Sequence, residues 1–183
     1  MSGRTAGRNS GHSRTAVQSG GFVMAGKTST ISERKAGGHN SHVTTKLRVF
    51  VADTLALTLK TQAFHWNMTG SNFIGLHKLT EEQYGELFQA TDDLAERLRA
   101  LKCSAPVGLG DIHATTSIDD APQSPDTETA VKVLEEDHVA MASRAKDIAL
   151  AADESEDVVT HDMLVKRMEY HQKSAWLLRS HVS

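Results

Sequence analysis

Residues 65–96 read HWNMTGSNFIGLHKLTEEQYGELFQATDDLAE, and the rest of the chain is organised around them. From Phe73 onward the apolar positions Phe73, Leu76, Tyr84, Leu87, Phe88, Leu94, Leu98 and Leu101 recur at helical spacing with no interrupting proline, which predicts a helix over residues 72–102. On that helix His77 and Glu81 share a face, as do Asp92 and Glu96, because each pair is one turn apart. His77 and Asp92 are about 60° out of alignment and roughly 22 Å apart along the axis. A single metal ion with ligand bonds of about 2 Å cannot reach both pairs within one chain. If His65, His77, Glu81, Asp92 and Glu96 form one site, that site lies between two copies of the protein. An antiparallel two-fold pairing sets each His77/Glu81 beside a partner's Asp92/Glu96 and makes two equivalent sites per dimer.

Imidazoles plus several carboxylates and no thiolate suit iron or manganese, and zinc with less preference. Two histidines and three carboxylates have the capacity for one or two Fe(II) ions with room for an oxidant. Four-residue intervals of such side chains also arise on ordinary solvated helix faces, so the spacing alone leaves that plainer reading open.

The run His65-Trp66-Asn67, Gly70, Phe73, Leu76-His77, Glu81, Asp92, Ala95-Glu96-Arg97 resembles the signature of the Dps family, the small ferritin-like proteins named for starved bacterial cells. The match extends through Trp176 and Arg179 and so covers roughly residues 45–183. The resemblance implies a four-helix-bundle subunit, a hollow dodecamer, and Fe(II) oxidation at sites between two-fold-related subunits. In one position the chain departs from the pattern: many members carry Asp where this chain has Glu81. The longer carboxylate keeps the ligand type while changing its reach.

The 183 residues are enough for one domain with a substantial core plus an appendage. No apolar run is long enough for a transmembrane helix, and the N-terminus lacks the pattern of a secretory signal. A single cysteine, Cys103, excludes an internal disulfide framework and fits a reducing cytoplasm. Residues 1–43 read as a flexible Gly/Ser-rich tail and 44–183 as the folded bundle. Through residue 45 the charges are Arg4, Arg8, Arg14, Lys27, Arg34 and Lys35 against Glu33 alone, a net +5. The whole chain is −3, so the remainder is −8. A basic arm on an acidic body suits non-specific DNA contact through phosphates, and members of the resembled family often bind DNA through such tails. Three other readings stay open: a solubilising tail, a start at Met24, and an organelle transit peptide, whose basic, Ser-rich, acid-poor composition this segment shares.

Leu47, Phe50, Val51, Leu55 and Leu59 predict a first helix over 44–68, with His65 and Trp66 in its last turn and Gly70 in the turn that follows. Trp66 beside the site is either an interface packing residue or an electron donor that traps oxidising equivalents. Asp53 and Gln62 fall among polar positions and receive no role. Turn residues dominate 103–125, with a short helix expected near 116–121. A connection of this length permits a crossover bundle, and in the resembled family a short helix here helps form the dimer contact. A third helix follows Pro125, capped by Asp126 or Thr127, with Val131, Leu134, His138, Met141, Ala145, Ile148 and Ala152 as its stripe. Leu164, Met168, His171, Ala175 and Leu178 mark the fourth. His138 and His171, on apolar stripes, read as hydrogen-bonded core histidines. A di-iron centre inside one bundle calls for two Glu-x-x-His pairs on separate helices; Glu135/His138 is one, and no second follows.

Asp153, Glu154, Glu156 and Asp157, then Asp162, gather acidic charge between the last two helices. This is either an ordinary solvated loop or, as the resemblance implies, an acidic pore at a three-fold axis whose field draws Fe(II) inward; Glu154, Asp157 and Asp162 are the candidates for its lining. The expected fold is thus all-α, a ferritin-like four-helix bundle with a short helix in its long crossover. The expected function is that of an iron-storing miniferritin: a ferroxidase using hydrogen peroxide more than oxygen, protecting DNA, cytoplasmic and associated with the nucleoid, without a membrane. The competing readings are a DNA-compacting structural protein with a vestigial or zinc-binding site, and a peroxide-consuming dimetal enzyme that stores no iron.

Overall fold

The computed structural model describes residues 38–181. Among them are five helices and no strand: α1 (Gly38–Asn67), α2 (Phe73–Ala100), α3 (Gly108–Thr115), α4 (Thr127–Glu154) and α5 (Val158–Arg179). The four long helices form two hairpins, α1/α2 and α4/α5, joined by the crossover that carries α3, and α1 packs on α4 across the bundle. Short connections force each hairpin to be antiparallel.

α1 begins six residues before the expected Thr44. Val43, fully buried, extends the stripe of Leu47 and Phe50 by one more turn, and the Thr45 hydroxyl donates to Ser41 O at 2.8 Å. Polar neighbours hid this turn from a periodicity reading. Further along, the buried threonines Thr54, Thr58 and Thr61 each donate to the carbonyl one turn back, at 2.7–2.8 Å, so their hydroxyls enter the core without an orphaned donor. Gly70 turns the chain from α1 to α2 with φ +101°, a conformation that side-chain-bearing residues rarely adopt.

At the far end of α2, Lys102 takes φ +63° while Cys103 N–H reaches back to Leu98 O at 2.9 Å, closing the helix in a Schellman arrangement. The same device ends α4: Glu156 has φ +58° and Asp157 N–H donates to Ala152 O at 2.9 Å. The acidic stretch is therefore not a loop throughout. Asp153 and Glu154 lie in the last turn of α4, and Asp157 caps α5 by accepting from Thr160 N at 3.0 Å. Asp126 caps α4 by accepting from Thr129 N at 2.7 Å. Thr127, the other capping candidate, instead donates to Thr69 O at 2.8 Å and ties the crossover to the α1–α2 turn.

The short crossover helix spans Gly108–Thr115, not 116–121. The reason is Asp53. This fully buried carboxylate accepts from Thr116 Oγ1 (2.9 Å), Ser117 N (2.6 Å) and Ser117 Oγ (2.9 Å), with Arg144 at 3.4 Å. Three bonds to one carboxylate pin Thr116 and Ser117 against α1, with Thr116 in an extended conformation (φ −66°, ψ 147°) that a helix does not use. α3 itself is clamped to α1 by Arg48, whose guanidinium holds both Asp111 oxygens at 2.6–2.7 Å.

In the middle of the bundle, His138 and His171 face each other with Nδ1 atoms 2.8 Å apart, both fully buried. Phe50 and Tyr170 pack around them, and Arg167 lies over the Tyr170 ring while pairing with Glu86 of α2. The expectation of hydrogen-bonded core histidines holds, each being the other's partner. Among the described residues no helix is long and apolar enough to cross a membrane.

Candidate metal centre

α1 delivers His65 from its last turn, and α2 returns His77 beside it after the Gly70 turn. The two rings stack with centroids 3.8 Å apart and planes 17° from parallel. Their Nδ1 atoms are used reciprocally: His65 Nδ1 donates to His77 O at 2.9 Å, and His77 Nδ1 donates to His65 O at 3.2 Å. A carbonyl oxygen only accepts, so both Nδ1 atoms carry a proton, and Nε2 is the nitrogen through which either ring can bind a metal. Metal-binding imidazoles are oriented in this way, by a backbone carbonyl on the nitrogen that does not bind. His65 is buried and His77 half-buried, so the donor atoms sit at an edge, not in the core.

The packing around them is specific. Thr80, fully buried, places its hydroxyl 3.3 Å from His65 Nδ1 and donates to Leu76 O at 2.7 Å. Phe73 leans on His77 at 4.9 Å between centroids, and Tyr84 stands edge-on to His65 at 5.2 Å. The result is a row of four rings, Phe73, His77, His65 and Tyr84. Sequence reasoning gave Thr80 and Tyr84 no role; the signal available was their position one and two turns after His77 on the same helix.

Glu81, Asp92 and Glu96 are all exposed on α2. The fold thus brings His65 and His77 together and leaves Asp92 and Glu96 farther along the helix, about 22 Å from His77 to Asp92 by helical rise. Among the described residues no three histidine, cysteine or carboxylate side chains come close enough to hold one ion. Trp66 is 67 % exposed. Arg97, next to Glu96, turns away and donates to Asp157 at 2.5 Å and Thr160 Oγ1 at 2.9 Å, bridging α2 to α5. Partial burial works against the Asp157 carboxylate, but bonds from Thr160 and Arg97 hold its pKa below the ordinary value. Glu154 and Asp162 are exposed, the latter paired with Lys166 at 2.7 Å. Arg4, Arg8, Arg14, Lys27, Arg34 and Lys35 lie outside the described residues.

An all-α bundle of two helical hairpins joined by a crossover is the ferritin-like architecture, and the ferritin-like domain family model matches residues 45–183. A low temperature-induced protein of Nostoc is 35 % identical over 72 % of this chain and 75 % of its own length. The DNA protection during starvation protein of Helicobacter pylori is 30 % identical over 75 % of this chain and 96 % of its own. The crystal structure of a Dps protein from Bacillus brevis superposes with a TM-score of 0.78 at 30 % identity, covering 80 % of this chain and 99 % of that one. The chain belongs to the Dps family of ferritin-like proteins.

Proposed function

We propose that this chain is the subunit of a cage that oxidises and stores iron. The reading rests most on the reciprocal His65/His77 clasp, which occupies both Nδ1 atoms with backbone carbonyls and leaves the two Nε2 atoms as the candidate metal donors. Fe(II) is the substrate. His65, His77 and Glu81 of one subunit hold it together with Asp92 and Glu96 of a two-fold partner. The distance along α2 supports sharing: about 22 Å of helical rise separates His77 from Asp92, too far for one ion to bridge within a chain. The imidazoles fix geometry, and the carboxylates offset the charge that grows as Fe(II) becomes Fe(III). Two Fe(II) ions supply the two electrons that reduce one hydrogen peroxide to water, which avoids release of hydroxyl radical.

Twelve subunits close the cage. Glu154 and Asp162 face solvent and suit an iron-attracting pore, whereas Asp157 shares its charge with Arg97. Trp66 serves the subunit contact or gives an electron. The six basic residues of the N-terminal segment hold DNA phosphates without reading sequence, and repetition on one particle adds avidity. The setting is the cytoplasm, on the nucleoid.

The test is to add Fe(II) and then peroxide to pure protein and follow protein and ferric absorbance through a sizing column. Ferric iron travelling with a particle of about twelve subunits is the expected result. A monomer or dimer without iron rejects the cage, and a large iron-free particle favours a DNA-compacting role.

A further inference from the structure

Within an arc of about 100°, the outer face of α2 carries His77, Glu81, Gly85, Phe88, Asp92 and Glu96. Four of these are the proposed iron ligands of the helix. The other two have no explanation inside the chain. Phe88 is 66 % exposed. Gly85 occupies the middle of a long helix, where glycine is a poor helix former, yet a Cβ built there meets nothing within 4 Å. Its φ is not in the left-handed region either, since the positive-φ glycines among the described residues are Gly70 and Gly108. Neither packing nor backbone conformation within the subunit calls for a missing side chain.

We infer that Gly85 and Phe88 are positioning residues that lock two copies of α2 in the register at which the shared iron site assembles. The inference rests on the two-fold site proposed above and follows from the numbering along one helix. An antiparallel pairing that sets His77 opposite the partner's Glu96, and Glu81 opposite the partner's Asp92, has its axis level with the midpoint between Glu86 and Leu87. Gly85 and Phe88 are symmetric about that same midpoint. The Phe88 ring of each copy therefore meets the bare backbone at the partner's Gly85, twice across the axis. A knob of this size opposite a residue without Cβ fixes the helices along their length, as small residues do where helices approach closely. The fix matters because a slip of one turn moves the partner's carboxylates by about 5.4 Å, far beyond a metal–ligand bond.

Gly85→Leu is the informative variant, because leucine is the better helix former and fits the isolated subunit without a clash. Circular dichroism is expected to show helicity kept or raised, while sedimentation velocity shows dimer and cage weakened by about tenfold or more. The exchange Gly85→Phe with Phe88→Gly rebuilds the same contact with its halves swapped across the axis. It is expected to recover assembly and iron oxidation relative to Gly85→Phe alone, a rescue that a merely local packing role does not give. Wild-type-like assembly of Gly85→Leu, or an exchange variant no better than Gly85→Phe, overturns the lock even where wild-type protein oxidises iron. Wild-type assemblies that never oxidise iron, with Gly85→Leu falling apart, remove the iron-site reading and leave the lock standing.

Discussion

The Nδ1 atoms of His138 on α4 and His171 on α5 stand 2.8 Å apart, so one imidazole donates to the other. Burial, then the nearby Arg167, pushes His138 down to about 3. Burial, then His138 and Arg167, holds His171 well below its ordinary value. Glu86 and Tyr170 complete the surroundings through their contacts with Arg167. In the unfolded chain both histidines titrate near 6.5. Between that value and the folded pKa the unfolded state binds more protons, so the pair's contribution is complete above about pH 6.5 and shrinks as pH falls. Each histidine is expected to contribute a slope of up to about 1.4 kcal/mol per pH unit. Urea unfolding at pH 7.5 and at pH 5 checks this, and a midpoint that does not move contradicts it.

Asp53 gathers donors from Thr116 and Ser117 and pairs with Arg144 at no solvent exposure. Asp53→Ala leaves the Ser117 N–H and the Thr116 and Ser117 hydroxyls without their acceptor, at residues that are half-buried or exposed. The expected loss is about 1–2 kcal/mol, because water can reach the donors and the Arg144 side chain that lose their partner. Hydrogen exchange locates the effect: the Ser117 amide and the crossover around α3 should lose protection first. Unchanged protection there means the carboxylate is not what holds the crossover.

The same residue marks where the sequence was and was not legible. Helices α2, α4 and α5 announce themselves through three-and-four spacing, because burial against a bundle core acts on every turn. The closeness of His65 and His77 was legible because a short turn fixes their neighbourhood. Asp53 was not, since its partners lie more than sixty residues on and nothing local distinguishes a buried Asp from an exposed one. Those distant bonds also displaced the short helix from 116–121 to Gly108–Thr115. The ring row ending in Tyr84 and the bareness of Gly85 likewise needed three-dimensional placement before they meant anything.

Arg97 offers two nitrogens to two acceptors, Asp157 and Thr160 Oγ1. Arg97→Lys keeps the charge but not the fork, so one of the two bonds is lost. The expected cost is about 1 kcal/mol, read as a lowered unfolding midpoint with unchanged helicity at neutral pH. Because Thr160 first and then Arg97 hold the Asp157 pKa below its ordinary value, the Arg97 contribution is present above the ordinary carboxylate pKa and disappears as pH falls through the folded one. The gap between wild type and Arg97→Lys should therefore narrow in acid; a gap that widens there reverses the assignment.

His77 and Asp92 occupy one helix yet are too far apart to share an ion within the chain, about 22 Å by rise. His77→Ala and Asp92→Ala should each abolish fast Fe(II) oxidation while leaving the fold intact, since neither side chain is in the core. Mixing the two inactive proteins under conditions that exchange subunits makes hybrid dimers. In such a dimer one site combines an intact His77 with an intact Asp92 from the other chain, and the second site carries both losses. Random exchange of equal amounts therefore restores about a quarter of the wild-type sites, and stopped-flow ferric absorbance should recover in that proportion. Isotope-labelled subunits verify the exchange by native mass spectrometry. Demonstrated exchange without any recovered oxidation means that each subunit's ligands serve only itself, which the spacing on α2 does not permit for one ion, and the shared centre would have to be abandoned.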